Sequence, residues 1–293
     1  MFKINKFKTF FRLIRVQQYT KNLLLFAPAF FGEKLLNFTE FTNLLLAFTS
    51  FSLVASSLYI FNDLRDLKDD KKHPEKNSRP LASGKVKKPE AQKLMLLLLF
   101  IGLSLALFLN IEFFVLLVGY LFIMTVYSWK LKQIAIVDVF IISLGFVIRI
   151  LAGGAVTQVW ISNWLVITTF LLALFLALIK RKADLHLYTE TNTEKPMNFS
   201  GYNKNFLDTS IIISASVTIV TYLMYTFSPE VPGHFDNRYL YATGIFVLFG
   251  ILRYLQLAFV YRKDSNPSDV LLKDRLLQLT LILWVITFAV IIY

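Results

Sequence analysis

Stretches of about 20 apolar residues recur along the whole chain, each long enough to cross the hydrocarbon core of a bilayer as a helix. Windows of that length read as spanning helices. Hydrophobic residues make up 56% of the 293, and Phe alone contributes 29. The expected fold class is therefore all-α, a polytopic membrane protein.

Nine spans are expected, at roughly 19–36, 41–62, 89–109, 112–129, 134–156, 160–180, 207–227, 238–261 and 270–293. Together they read as one transmembrane domain over 1–293. Residues 1–18 interleave Phe and Ile with Lys and Arg, as a basic helix lying in the membrane interface does. The interrupted apolar part and the lack of a small-residue cleavage site do not suit a secretory signal.

The formal net charge of +12 could suit nucleic acid, but its distribution points to topology instead. Nine basic residues fall between Arg65 and Lys88, and the connections near Lys130, Lys180, Lys195 and Arg262 are also basic. The opposite connections hold little beyond Lys34 and Arg238. Cytoplasmic loops carry such an excess, so the N-terminus and the long polar loops are expected in the cytoplasm of a cell-membrane protein. No nucleic-acid partner is expected. The absence of Cys excludes thiolate chemistry, and three scattered histidines do not make a zinc site. No glycine-rich phosphate loop and no serine elbow is present.

Against this apolar background, the stretch from Tyr59 to Val86 gathers Asn62, Asp63, Asp66, Asp69 and Asp70, followed by His73, Lys76, Arg79 and Lys85. Residues 63–88 are expected as a cytoplasmic motif loop. If the second span continues to about Asp70, then Asn62, Asp66 and Asp70 stack along one helical face. Oxygen ligands so placed suit Mg²⁺, which completes its shell with water and substrate phosphate. The alternative is a solvated, charge-mixed loop that caps the span. Arg79 can grip a phosphate bidentately, while most neighbouring lysines need no more than a topogenic role.

Further polar residues mark the spans. Tyr127, Lys130 and Lys132 close the fourth span and Asp138 opens the fifth, where Arg149 lies near the middle. A charge at that depth costs about 2.5–3.5 kcal/mol on insertion scales and should face a cavity or a partner. Asp138 and Arg149 are thus either a structural ion pair or residues that shape a cavity. The sixth span ends with Lys180, Arg181 and Asp184, and Lys21 and Asn22 precede the first apolar run.

NDLRDLKDD at 62–70 resembles the Asn-Asp-x-x-Asp-x-x-x-Asp motif of the UbiA superfamily of intramembrane prenyltransferases. The finer resemblance is to its decaprenyl-phosphate phosphoribosyltransferase branch. It is carried by His73-Pro74, Arg79-Pro80, Ala82-Ser83-Gly84, QYTKN at 18–22, YSWKLK at 127–132, Asp138, Arg149 with Ala152-Gly153-Gly154, KRKADL at 180–185, and LKDRLLQL at 272–279. Tyr19 stands where that branch usually has Trp, and Asp184 where it more often has Glu. Prenyl-diphosphate users generally carry a second Asp-x-x-x-Asp after span six, where this chain has only Asp184.

The resemblance implies a bundle of about nine transmembrane helices with its active site at the cytoplasmic side. It implies Mg²⁺-dependent transfer of 5-phosphoribosyl from 5-phosphoribosyl 1-diphosphate to a polyprenyl phosphate, releasing pyrophosphate. Asp63, Asp66 and Asp70 are the candidate catalytic residues, and Asn62, Asp66 and Asp70 the candidate metal ligands. Candidate substrate-binding residues are Lys21, Asn22, Arg79, Tyr127, Lys132, Asp138, Arg149, Lys180, Arg181 and Asp184. The alternative is prenyl transfer from a prenyl diphosphate to an aromatic or glycerol-phosphate acceptor. Membrane lipid surrounds either enzyme, and the sequence leaves room for a homo-oligomer.

Overall fold

The computed structural model describes residues 2–73, 76–190, 197–228, 237–261, 270–271 and 273–293. Among these residues every regular element is helical. Helices α1 (Phe2–Leu13), α2 (Ala27–Phe31), α3 (Phe38–Arg65), α4 (Leu67–Lys72), α5 (Lys88–Leu109) and α6 (Ile111–Trp129) occupy the first part of the chain. Helices α7 (Val137–Thr157), α8 (Asn163–Glu190), α9 (Lys204–Phe227), α10 (Gly244–Phe259) and α11 (Arg275–Ile292) follow. By length and composition seven described helices can cross a membrane, and Arg275–Ile291 is a shorter apolar one.

Three expected boundaries change. The run expected as a first span, 19–36, folds as a 3₁₀ stretch, Val16–Phe26, followed by the short α2, rather than as one long α-helix. Its side chains bond outward to α3, as described below. The second span runs on to Arg65, so the motif region is partly helical and not a plain loop. The sixth continues ten residues past its expected end to Glu190. Nothing there breaks a helix, and Arg181–Asp184 and His186–Glu190 pairs at 3.2 Å support the polar extension. Lys195, Arg262, Lys263, Pro74 and Leu272, used in the sequence reading, lie outside the described residues.

Contacts group the chain into two compact units. The first holds residues 1–30, 34–128 and 148–159. Its centre is α3, whose small hydroxyl residues let neighbours approach closely, as membrane helices require in place of a hydrophobic drive. Ser50 donates to the Gly102 carbonyl of α5 at 2.7 Å, and a side chain at Gly102 would collide with Val54. Asn22 donates to Ser52 at 2.9 Å, Tyr19 meets Ser56 at 2.9 Å, and Ser56 donates to the Ile14 carbonyl at 2.8 Å. The 3₁₀ stretch is thereby fastened to successive turns of one helix. Gly153 of α7 lies against the Leu25 backbone so closely that a Cβ would collide with its carbonyl oxygen. Lys34 caps α7 by donating to the Thr157 carbonyl at 2.7 Å.

The second unit holds residues 31–33, 129–147 and 160–293. Helices α8 and α9 pack around Phe175, Ile179, Leu207 and Ile211, and Tyr254 and Leu257 of α10 join the same core. Trp284 of α11 donates to the Tyr222 hydroxyl at 2.7 Å. Asp274 caps α11 by accepting from the Leu277 amide at 3.0 Å, and both its oxygens take Arg253.

Candidate active site

The first unit carries the acidic cluster at the end of α3. Helix α3 stops at Arg65, and α4 begins at Leu67, so the three motif positions do not lie on one uninterrupted helix. The i-to-i+4 backbone bonds nevertheless persist across the break, Asp66 to Asn62 at 2.9 Å and Asp70 to Asp66 at 2.8 Å. The motif side chains therefore stay together. Asn62 donates to Asp66 at 3.0 Å, with both half-buried. Asp63 and Asp70 are buried, while Asp69 points to the exposed side.

One guanidinium joins the two buried carboxylates. Arg79 Nη1 lies 2.6 Å from Asp70 Oδ2 and 3.1 Å from Asp63 Oδ1. Asp63 Oδ1 also takes Arg15, whose guanidinium lies over the Tyr59 ring at 5.0 Å. Arg15 occupies the left-handed region, φ 54°, at the junction between α1 and the 3₁₀ stretch. Sequence reading assigned Arg15 only to the interfacial helix. Its partner is 48 residues away, and no local pattern announces that contact.

Deeper in the same unit, Arg149 is buried but has its own partners. It donates to Asn22 Oδ1 at 2.8 Å and to the Tyr120 hydroxyl at 3.0 Å. The Phe51 and Tyr120 rings lie 5.0 and 4.9 Å from its guanidinium carbon. Two π-faces and two oxygens thus hold the charge at a depth where solvation is costly. Lys21, beside Asn22, and Tyr127 of α6 are half-buried.

The second unit has a separate polar centre. Asp138, fully buried near the start of α7, takes Arg181 Nε of α8 at 2.7 Å and the Tyr202 hydroxyl at 2.6 Å. Arg181 Nη1 also reaches Asp184 at 3.2 Å. Burial and the bond to Asp138 push the Tyr202 phenol above its ordinary range, so it remains a proton donor. Lys132 sits half-buried in the 3₁₀ turn Leu131–Gln133, and Lys180 is exposed on α8.

Among the described residues no three His, Asp or Glu side chains form a ready-made metal cage. The donor set still fits Mg²⁺. Its oxygens are hard, the Asn62 and Asp66 side chains already meet at 3.0 Å with Asp70 on the next turn, and Mg²⁺ is commonly held through one or two carboxylates, water and substrate phosphate.

A family model described as the UbiA prenyltransferase family matches residues 25–282. The decaprenyl-phosphate phosphoribosyltransferase of Mycolicibacterium smegmatis is 30% identical over 292 residues, 96% of this chain and 92% of that one. The enzyme of that name from Corynebacterium glutamicum is 27% identical, covering 96% and 86%. In fold, the chain is similar to a UbiA homolog from Archaeoglobus fulgidus solved with GPP and Mg²⁺. That likeness has a TM-score of 0.72 at 18% identity, over 97% of this chain and 99% of that one. With a family model spanning most of its length and a relative 30% identical along nearly all of it, this multi-pass membrane chain belongs to the UbiA prenyltransferase family, a family of transferases.

Proposed function

We propose that the chain transfers 5-phosphoribosyl from 5-phosphoribosyl 1-diphosphate to a polyprenyl phosphate and releases pyrophosphate. The observation that carries this reading is the near full-length similarity to decaprenyl-phosphate phosphoribosyltransferases, and it is supported by an acidic cluster whose two buried carboxylates share the Arg79 guanidinium. An acceptor phosphate oxygen bonds to C1 of the pentose as the C1–oxygen bond to the diphosphate breaks. The acceptor is ionised near neutral pH, so no general base needs to take a proton.

Three carboxylates would repel a diphosphate unless positive charge intervenes. Asn62, Asp66 and Asp70 are the residues that would hold Mg²⁺, which neutralises charge on the departing pyrophosphate when bound. Asp63 orders Arg15 and Arg79 beside that cluster. Arg79 is assigned to donor phosphate, with its bond to Asp70 exchanged for a phosphate oxygen. The resemblance also assigns Lys132, Lys180 and Arg181 to phosphate binding, and Asp138 and Asp184 orient Arg181. Lys21, Asn22, Tyr127 and Arg149 complete the assigned substrate-binding set. The positive-inside pattern supports assigning this chemistry to the cytoplasmic side of a cell membrane.

The test supplies purified protein with Mg²⁺, a polyprenyl phosphate and 5-phosphoribosyl 1-diphosphate, and measures pyrophosphate. A parallel reaction offers a prenyl diphosphate with aromatic and glycerol-phosphate acceptors. Release only in the first supports the proposal. Release only in the second replaces it with prenyl transfer.

A further inference from the structure

Tyr202 has no place in the motifs, yet its hydroxyl joins three parts of the second unit. It accepts the Ile136 backbone N–H at 2.7 Å and donates to Asp138 Oδ1 at 2.6 Å. The other oxygen of Asp138 takes Arg181 Nε at 2.7 Å, while the Val139 amide also donates to Oδ1 at 2.9 Å. One oxygen therefore links the segment between the Lys132 turn and α7 to the carboxylate that orients Arg181.

Two backbone observations show that this geometry is imposed. Ile136 has φ 71°, a left-handed conformation that a β-branched residue adopts only under constraint. Such a conformation costs roughly 1–3 kcal/mol and persists where its surroundings over-determine it. Gly201, next to Tyr202, approaches Ala135 so closely that an added Cβ would lie 2.5 Å from the Ala135 Cβ. The segment before α9 thus meets the segment before α7 at two neighbouring residues, Ala135 and Ile136. A tyrosine needed only to fill space would require neither the strain nor the close approach.

We infer that Tyr202 is a positioning residue for donor binding, holding Arg181 through Asp138 and the Lys132 turn through the Ile136 amide. This rests on the phosphate-binding role proposed for Arg181. The aromatic ring stays with Phe199 and Phe206 when the hydroxyl is removed, which makes Tyr202→Phe a narrow perturbation.

The test is a double-mutant cycle with Tyr202→Phe and Arg181→Lys, read as KM for the donor and as kcat. Tyr202→Phe should raise KM about tenfold, the scale of one lost hydrogen bond to a charged group, with kcat within about twofold. The effect in the double variant should fall short of the product of the two single effects, because Tyr202 acts in part through the arginine. Unchanged KM in Tyr202→Phe, or effects that multiply in the double variant, would overturn the inference. Gly201→Ala moves the same turn while keeping the hydroxyl and should raise KM in the same direction. It decides the matter if Tyr202→Phe is not recovered folded. Wild type is assayed first with both donor classes. Should only a prenyl diphosphate react, the phosphoribosyl reading fails, and the same cycle with that donor still decides the role of Tyr202.

Discussion

Removing Arg79 should destabilise the protein more than removing Arg15, although both touch Asp63. Asp63 and Asp70 are almost fully buried, with side-chain exposures of 2% and 5%, while Arg79 is 25% exposed. Breaking a buried ion pair by deleting one partner costs about 3–5 kcal/mol, because the other charge stays buried. The partial exposure of Arg79 lowers that to about 2–4 kcal/mol for Arg79→Met. Asp63 would keep Arg15, but Asp70 would keep no arginine among the described residues. Arg15→Met leaves both carboxylates with Arg79 and should cost about 1–2 kcal/mol, the scale of a charged hydrogen bond. The informative variant is Asp70→Asn combined with Arg79→Met, which removes the stranded charge. It should regain at least half of what Arg79→Met loses, and adding Mg²⁺ should stabilise Arg79→Met but not the double variant. Thermal unfolding of detergent-purified protein, in chelator and then in Mg²⁺, reads all four. Equal midpoints for wild type and Arg79→Met, or a double variant weaker than the single, would refute the reasoning.

Other outcomes are more direct. Asp66→Ala should reduce turnover at least a hundredfold while leaving the unfolding midpoint within a few degrees, since half-buried Asp66 is not part of the Arg79 bridge. Gly153→Ala should destabilise by about 1–3 kcal/mol, because the methyl group would meet the Leu25 backbone, which has no rotamer to change. A thermal shift on that variant, compared with Gly119→Ala in open space, isolates the effect. Asp274 should give an acid-sensitive contribution. Its bonds from Arg253 hold the carboxyl below the ordinary value of 3.8, so its stabilisation is complete above that value and is lost as pH falls through the lower folded one. The midpoint difference between wild type and Asp274→Asn should be constant at neutral pH and close only below about pH 3.8.

Much of the helical framework was legible because insertion into lipid writes long apolar windows into the chain. Most expected spans match helices, and the charged cluster at their boundary is where it was expected. The misplaced ends have local causes. At 180–190 charged residues replace the apolar run but no Gly or Pro interrupts it, so composition ended the span where hydrogen bonding did not. At 19–36 the apolar residues were visible, but not the side-chain bonds of Tyr19 and Asn22 that accompany a 3₁₀ stretch. The site divided similarly. Carboxylates four apart announce themselves, whereas Arg15 and Tyr202 act on partners 48 and 64 residues away. Asp138 and Arg149 were found from the cost of burying charge, but that cost does not name the partners.

The hydroxyls of α3 separate two instructions that one helix must carry. Its Leu and Phe residues are enough to bring it into a bilayer, and a leucine-rich substitute would insert as readily. Ser52 and Ser56 instead determine at which height Asn22 and Tyr19 stop along it. A substitute without them would still span the membrane, but the N-terminal 3₁₀ stretch would be free to slide by a turn. Arg15 would then miss Asp63, although every residue of the acidic motif was intact. Motif conservation alone is therefore an incomplete guide when such a site is transplanted; the unremarkable serines set its alignment.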